Sequence, residues 1–206
     1  EFFDAIPIKQ FKIEKGVLLE KHYTLDKDNK IKEFFKKASK QDEINIKSYK
    51  SLKNLKFIEY PKYGLQELTI IVKKILQVKG CLLLIDYGYL KPNNLNTLQS
   101  VLKHKKNHLL DNLGEADITS HVNFKLLNEF FLKNNLGVKK VVSQQRFLKN
   151  MGIIERAEII GKKMKFKEQT NIYLRLKRLL SPSLMGELFK VACAYKSKSN
   201  KFFGFN

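Results

Sequence analysis

One stretch limits the folds open to this chain: Cys81-Leu82-Leu83-Leu84-Ile85-Asp86-Tyr87-Gly88-Tyr89, an apolar run that stops abruptly at a carboxylate, an aromatic and a glycine. It is too short for a helix and lacks polar alternation. It therefore reads as a strand buried on both faces, the pattern of central strands in a largely parallel sheet covered by helices. In such sheets ligands sit beyond the carboxyl ends of the strands, which puts Asp86, Tyr87 and Gly88 where a site would be. A second reading stays open, because Asp and Gly are also ordinary turn residues.

The segments on either side extend this αβ pattern. Leu65, Leu68, Ile71, Val72, Ile75 and Leu76 form a stripe at helical spacing that ends near Gly80 and feeds directly into the Cys81 strand. Before it, Gln10–Ile13 and Val17–Leu25 read as strands. Asp26-Lys27-Asp28-Asn29 supplies a turn and Ile31–Phe35 a return arm, while the lysine-rich residues 36–53 read as loop or a weak exposed segment. After it, His104 and His108 would share a helix face within Thr97–Leu110, but two histidines among lysines fall short of the three or four ligands a protein zinc site needs. Asn123 is placed to cap a helix bearing Leu126, Leu127, Phe130 and Phe131, with Gly137 as its stop. Capping leaves Asp117 and His121, in the polar loop before it, without a stated role. Val138–Ser143 reads as a strand, Phe147, Leu148 and Met151 as the start of a helix, and Ile172 to Leu180 as another. Ser181-Pro182 then opens a short helical turn, and Phe189–Tyr195 is a closing strand.

Composition narrows the function classes. The chain has 206 residues, room for one sizeable core. No apolar run nears the roughly 20 residues of a membrane-spanning helix, so no membrane insertion is expected. Two cysteines, Cys81 and Cys193, sit in apolar runs and read as small buried hydrophobes of a reducing compartment. The net charge of +20 suggests an anionic partner, yet arginine occurs four times and lysine supplies 36 of the 40 cations, spread along the chain. Arginine is the residue that forks onto phosphate and base edges, so a solvated lysine surface is the reading and nucleic acid is not the expected partner. No Gly-rich phosphate or dinucleotide loop and no nucleophile elbow is present.

Five segments in order carry a family resemblance. Glu1-Phe2-Phe3-Asp4-Ala5-Ile6-Pro7 resembles the Asn-Glu-Phe-Phe-Asp-Ala-Leu-Pro motif of the MidA-like S-adenosylmethionine-dependent methyltransferases, the family that includes the mitochondrial complex I assembly methyltransferase. Leu83–Tyr89, Gly114–Phe124, Gln145–Leu148 with Gly152-Ile153, and Met185–Val191 continue it nearly to the end. The resemblance implies an α/β fold, the C-terminal half of a Rossmann-like class I methyltransferase αβα sandwich with a β-hairpin insertion. Residues 1–206 would be the C-terminal part of the methyltransferase domain, 11–53 the hairpin and loop insertion and 196–206 a tail. The family's N-terminal half, with the Gly-rich loop that grips the cofactor, would be needed for activity and has no counterpart in these residues.

What the family implies for function is a transferase using S-adenosyl-L-methionine to methylate a protein arginine during respiratory complex I assembly, in the bacterial cytoplasm or the mitochondrial matrix. Glu1 and Asp4 would be the catalytic carboxylates, fixing a guanidinium by charge-assisted bonds. Asp86, Tyr87, Gly88, Asp117 and His121 would bind the acceptor protein, which the resemblance implies to be a complex I subunit. No cofactor-binding or metal residue is assigned. Capping or turn roles for Asp4 remain beside this, and two other function classes stand with it: a non-catalytic protein-binding assembly module and a basic RNA-binding protein.

Overall fold

The computed structural model describes residues 2–28, 30–197 and 201–205. A 3-10 turn at Phe3–Ala5 leads into β1 (Lys9–Glu14), β2 (Val17–Leu25) and β3 (Ile31–Lys37), then α1 (Lys40–Lys47), β4 (Phe57–Tyr60) and α2 (Lys62–Val78). There follow β5 (Cys81–Tyr89), β6 (Gln99–Leu102), β7 (Lys105–Asn107), β8 (Asp117–Thr119), β9 (Val122–Asn123) and α3 (Phe124–Lys133). The last third holds β10 (Gly137–Val138), β11 (Val142–Ser143), α4 (Gln144–Asn150), α5 (Ile153–Gly161), α6 (Phe166–Leu180), α7 (Met185–Leu188) and β12 (Phe189–Tyr195).

The first sheet is antiparallel, in the order β3-β2-β1-β4. Lys15 and Gly16, both at positive φ, make the two-residue turn between β1 and β2 that a right-twisted hairpin favours. At the next turn Asp26 Oδ1 accepts the amides of Asp28 and Lys30 at 2.9 and 2.8 Å; Asn29, read as part of that turn, lies outside the described residues. The stretch 36–53 is not a loop. Ser39 Oγ accepts the Asp42 amide and caps α1, and Ile46, Tyr49 and Leu52, three residues apart, are buried. Lysine abundance on the outer face masked that stripe.

The second sheet runs β10-β12-β5-β9, with β11 also on β12. β5 pairs antiparallel with β12 over Cys81–Tyr87 and parallel with β9 only at Gly88 and Tyr89. The expectation of a mainly parallel sheet is therefore corrected for the described residues, as is burial of β5 on both faces. Leu84 and Asp86 are buried, but Leu83 is 47% exposed and Cys81 is exposed. An unbroken apolar run does not by itself tell which face is covered. Cys193 is buried as expected, and burial pushes its thiol up to about 11.

Two further readings change. Thr97–Leu110 is no helix: β6 and β7 form a hairpin with Lys103 and His104 at positive φ in its turn, so His104 and His108 do not share a helix face. α3 begins on the Asn123 cap as read, with Oδ1 accepting the Leu126 amide at 3.0 Å, but it stops through Asn135 at positive φ. Gly137 lies in β10, where a side chain would collide with the Tyr195 ring. Ser181 closes α6, its amide donating to Lys177 O, and also opens the short turn read from Ser181-Pro182, its carbonyl accepting the Leu184 and Gly186 amides at 3.0 and 2.9 Å. The tail packs back: Phe202 meets Tyr195 with ring centroids 4.6 Å apart, and Phe205 meets Phe147 at 5.3 Å.

α2 and α3 supply much of the core, with Leu65, Leu68, Val72 and Ile75 on one and Leu126, Leu127, Phe130 and Phe131 on the other. Phe3, Phe11, Ile58, Leu84 and Ala192 join the same cluster. Each such side chain contributes roughly 1.5–3 kcal/mol when fully buried. The 3-10 turn, the first sheet and the end of β5 are thereby fixed against one another.

Candidate active site

The site assembles where the 3-10 turn meets the carboxyl end of β5. A 3-10 turn leaves its first amides without partners. Here Asp86, fully buried, supplies them: its Oδ2 accepts the amides of Phe2, Phe3 and Asp4 at 3.4, 3.0 and 3.3 Å, and its Oδ1 accepts that of Tyr87 at 2.9 Å. Burial, and next the charge of Asp4, raise the Asp86 pKa, while these amide bonds oppose the shift. Asp86, expected among the acceptor-binding residues, accepts backbone amides at both carboxylate oxygens. It thereby positions the Phe2–Ala5 turn.

Asp4 has the opposite orientation. It is nearly buried and its backbone is held on both sides, the amide by Asp86 and the carbonyl by the Ser120 amide at 2.9 Å. The side chain caps nothing in the turn. It lines an open pocket of about 760 Å³ together with Tyr87, Gln99, Asp117, Thr119 and His121. Burial and the adjacent Asp4 carboxylate push the Tyr87 phenol up to about 12, so it remains a hydrogen-bond donor. The Tyr87 ring stands edge-on to His121, centroids 5.3 Å apart at 88°, and packs against Phe189 at 5.7 Å. Half-buried His121 has its pKa lowered by burial and then by Lys190, against the raising pull of Glu59. Asp117 opens β8 at the exposed rim.

Gly88 has no positive φ, so the turn reading does not apply to it. Its role is close approach: a Cβ there would stand 2.1 Å from Val122 O, which forbids the β5–β9 pairing that seats His121. Glu1, read as the second catalytic carboxylate, lies outside the described residues. The structure therefore brings Asp4, Tyr87, Asp117 and His121 to one pocket and assigns Asp86 and Gly88 to holding it together.

Sequence reasoning missed a further buried carboxylate beside the site. Glu59 on β4 accepts from Gln10 Nε2 and the Thr97 amide at 3.0 Å and from the Leu98 amide at 3.2 Å; Thr97 Oγ1 also bonds Glu59 and accepts the His121 amide at 2.9 Å. Glu59 thus fixes one wall through Thr97. A signal was present: Gln10 and Glu59 are polar residues next to the deeply buried Phe11 and Ile58 on paired strands. Lys190 was also passed over. It pairs in register with Asp86, and its Nζ donates to the Glu187 carbonyl at the end of α7.

The positive-φ glycines, Gly16, Gly114, Gly152 and Gly204, lie far apart in sequence, and no glycine-rich loop among the described residues runs into a helix. No group of three or more His, Cys, Asp or Glu that could hold a metal occurs among the described residues. No helix among them is long and apolar enough to cross a membrane.

Known proteins resemble this chain in both sequence and fold. The protein arginine methyltransferase NDUFAF7 of Danio rerio mitochondria is 25% identical over 198 residues, covering 92% of this chain and 44% of its own length. The human mitochondrial protein of the same name is 24% identical over 192 residues, covering 92% of this chain and 42% of its own length. The chain thus spans less than half the length of these relatives. A structure from Burkholderia thailandensis, described as a "likely methyl transferase" and bound to S-adenosyl-homocysteine, superposes with TM-score 0.78 at 19% identity. The superposition covers 99% of this chain and 52% of that one, and it supports the fold expected from the motifs. A family model matches residues 1–142, a span that holds the Phe2–Ala5 turn, β5 and the 114–124 loop, and by that match the chain belongs to the family described as putative S-adenosyl-L-methionine-dependent methyltransferases.

Proposed function

We propose that this chain builds the acceptor side of an S-adenosyl-L-methionine-dependent protein arginine methyltransferase. One observation carries the reading. In a chain of net charge +20, the pocket at the end of β5 is lined by two charged residues, Asp4 and Asp117, and both are carboxylates. A cationic side chain is the guest such a pocket selects, and a guanidinium matches it best because it can fork onto a carboxylate while its planar face lies on an aromatic ring.

When bound, the cofactor would supply an electrophilic methyl group. The chain's own part is to hold and orient the acceptor. Asp4, its backbone fixed at both amide and carbonyl, presents its carboxylate to the guanidinium. Tyr87 keeps its proton and can donate to an acceptor carbonyl or to Asp4. His121, held toward its neutral form by burial, can accept the proton that a methylated nitrogen sheds. Asp117 at the rim attracts the cation on entry.

The relatives' names as mitochondrial protein arginine methyltransferases support arginine as the acceptor. The finer proposal, an arginine of a respiratory complex I subunit methylated during assembly in the matrix or the bacterial cytoplasm, comes from the family resemblance. The test is mass spectrometry of candidate subunits incubated with the full-length protein that carries this sequence and with methyl-labelled cofactor. The expected product is an ω-methylated arginine. Label on lysine or on RNA, or binding of the subunit with no transfer at all, would overturn it.

A further inference from the structure

A groove larger than the pocket at the motif residues lies elsewhere among the described residues. It lies between α5 and α6, about 820 Å³, floored by Ile154, Ala157 and Gly161 and walled by Ile172, Tyr173 and Leu176. These helices carry apolar stripes that never reach the core. α5 buries none of its residues and α6 buries Leu180 alone, while Tyr173 is 64% exposed. Helical stripes of this kind normally pack against something.

We propose that this groove docks an acidic amphipathic helix of a partner protein. Shape is the first ground. Ala157 and Gly161, four apart and so on one face of α5, make a low floor, and a Cβ at Gly161 would meet nothing within 4 Å. A helix laid along such a floor brings its backbone close and inserts apolar side chains between the walls. Charge is the second ground. Lys149, Lys162 and Lys177 edge the groove against the single acid Glu158, and none of the three makes an ion pair among the described residues. Glutamates flanking the apolar stripe of a guest helix would meet those ammonium groups. A second copy of this chain is a poor guest, because it would bring the same lysines and another net charge of +20. The inference is independent of the acceptor chemistry proposed above.

The test uses fluorescence polarisation with two labelled synthetic peptides of roughly 16 residues, long enough to form a helix on a surface. Both carry Leu at i, i+3, i+4 and i+7; one has Glu at the flanking positions and the other Lys. The Glu peptide is expected to bind, more weakly as salt rises, and the Lys peptide not to. Tyr173→Glu should weaken binding at least tenfold, and Ala157→Trp, which fills the groove without changing charge, should abolish it. The two changes lie on different helices at surface positions, so a folding failure of one leaves the other informative. Absence of Glu-peptide binding, equal binding of both peptides, or binding untouched by Ala157→Trp overturns the proposal. So does concentration-dependent dimerisation of the chain that Tyr173→Glu removes, since it would make a second copy the occupant.

Discussion

The junction at the end of β5 and the α5–α6 hairpin use their residues in opposite senses. At the junction a fully buried carboxylate gathers three successive amides, and a glycine lets two strands approach until no Cβ fits between them. In the hairpin, two helices that carry apolar stripes bury only Leu180. Polar residues hold the first region rigid; apolar residues leave the second open. Burial therefore separates what a residue type cannot: Asp86 is a carboxylate enclosed by backbone amides, whereas the apolar Ile154 and Tyr173 line an open groove.

The comparison can be broken most directly with two glycines. Gly88→Ala must push Val122 away from β5, and overpacking of backbone against backbone should cost roughly 3 kcal/mol or more. Gly161→Ala adds the same methyl where nothing stands within 4 Å. It should be neutral or should stabilise by up to about 1 kcal/mol, because Ala favours a helix over Gly. Urea denaturation monitored by circular dichroism measures both. Similar losses at the two positions would show that the hairpin is as tightly constrained as the junction.

Within the junction, Asp4 and Asp86 are predicted to separate. Asp4→Asn keeps the backbone bonds to Asp86 and Ser120 and removes a charge that destabilises ionised Asp86. In the full-length protein methyl transfer should slow by about one to two powers of ten, the kinetic equivalent of a charge-assisted bond worth roughly 1.5–3 kcal/mol. The melting temperature should not fall, and the Asp86 carboxyl, followed by NMR, should titrate at lower pH than before. Unchanged transfer with a lowered melting temperature would return Asp4 to a structural role.

How much of this was visible in the sequence differs between the regions for physical reasons. The element types around the site were legible: the α2 stripe, the β5 run and the Asn123 cap each rest on local periodicity or local hydrogen bonding, which sequence encodes directly. Asp4, Tyr87, Asp117 and His121 were legible as a set through ordered motifs. The division of labour was not. Asp86 differs from Asp4 only in which groups face it, and those groups come from a segment more than 80 residues away. Glu59 was missed for the same reason, since its partners Gln10 and Thr97 arrive from separate parts of the chain. α1 was lost to composition, its buried Ile46 outnumbered by charged neighbours, and the partner strands of β5 could not be read from β5 itself.

The smallest expected effect concerns pH, and it tests whether His121 belongs to the rigid junction or only lies over it. Three elements face its ring: Tyr87 of β5 edge-on, Glu59 of β4 at longer range and Lys190 of β12. Burial and Lys190 lower its folded pKa below the ordinary 6.5, with Glu59 opposing them. The unfolded chain then binds the proton more readily than the folded one. Stability from this group is complete above the unfolded value and is lost as pH falls through 6.5 and on through the lower folded value. Asp86 acts in the reverse sense. Its folded pKa is raised, so its contribution is present below the ordinary carboxylate value and lost as pH rises through the folded one. Urea midpoints measured between pH 8 and pH 5 should therefore decline for the wild-type chain, and His121→Gln should flatten part of that decline while leaving the midpoint at pH 8 nearly unchanged. Because the imidazole is only half-buried, solvent screening keeps the difference small. A decline unaltered by the substitution would mean that the ring reaches water freely, and would move His121 from the pinned region of the molecule to the open one.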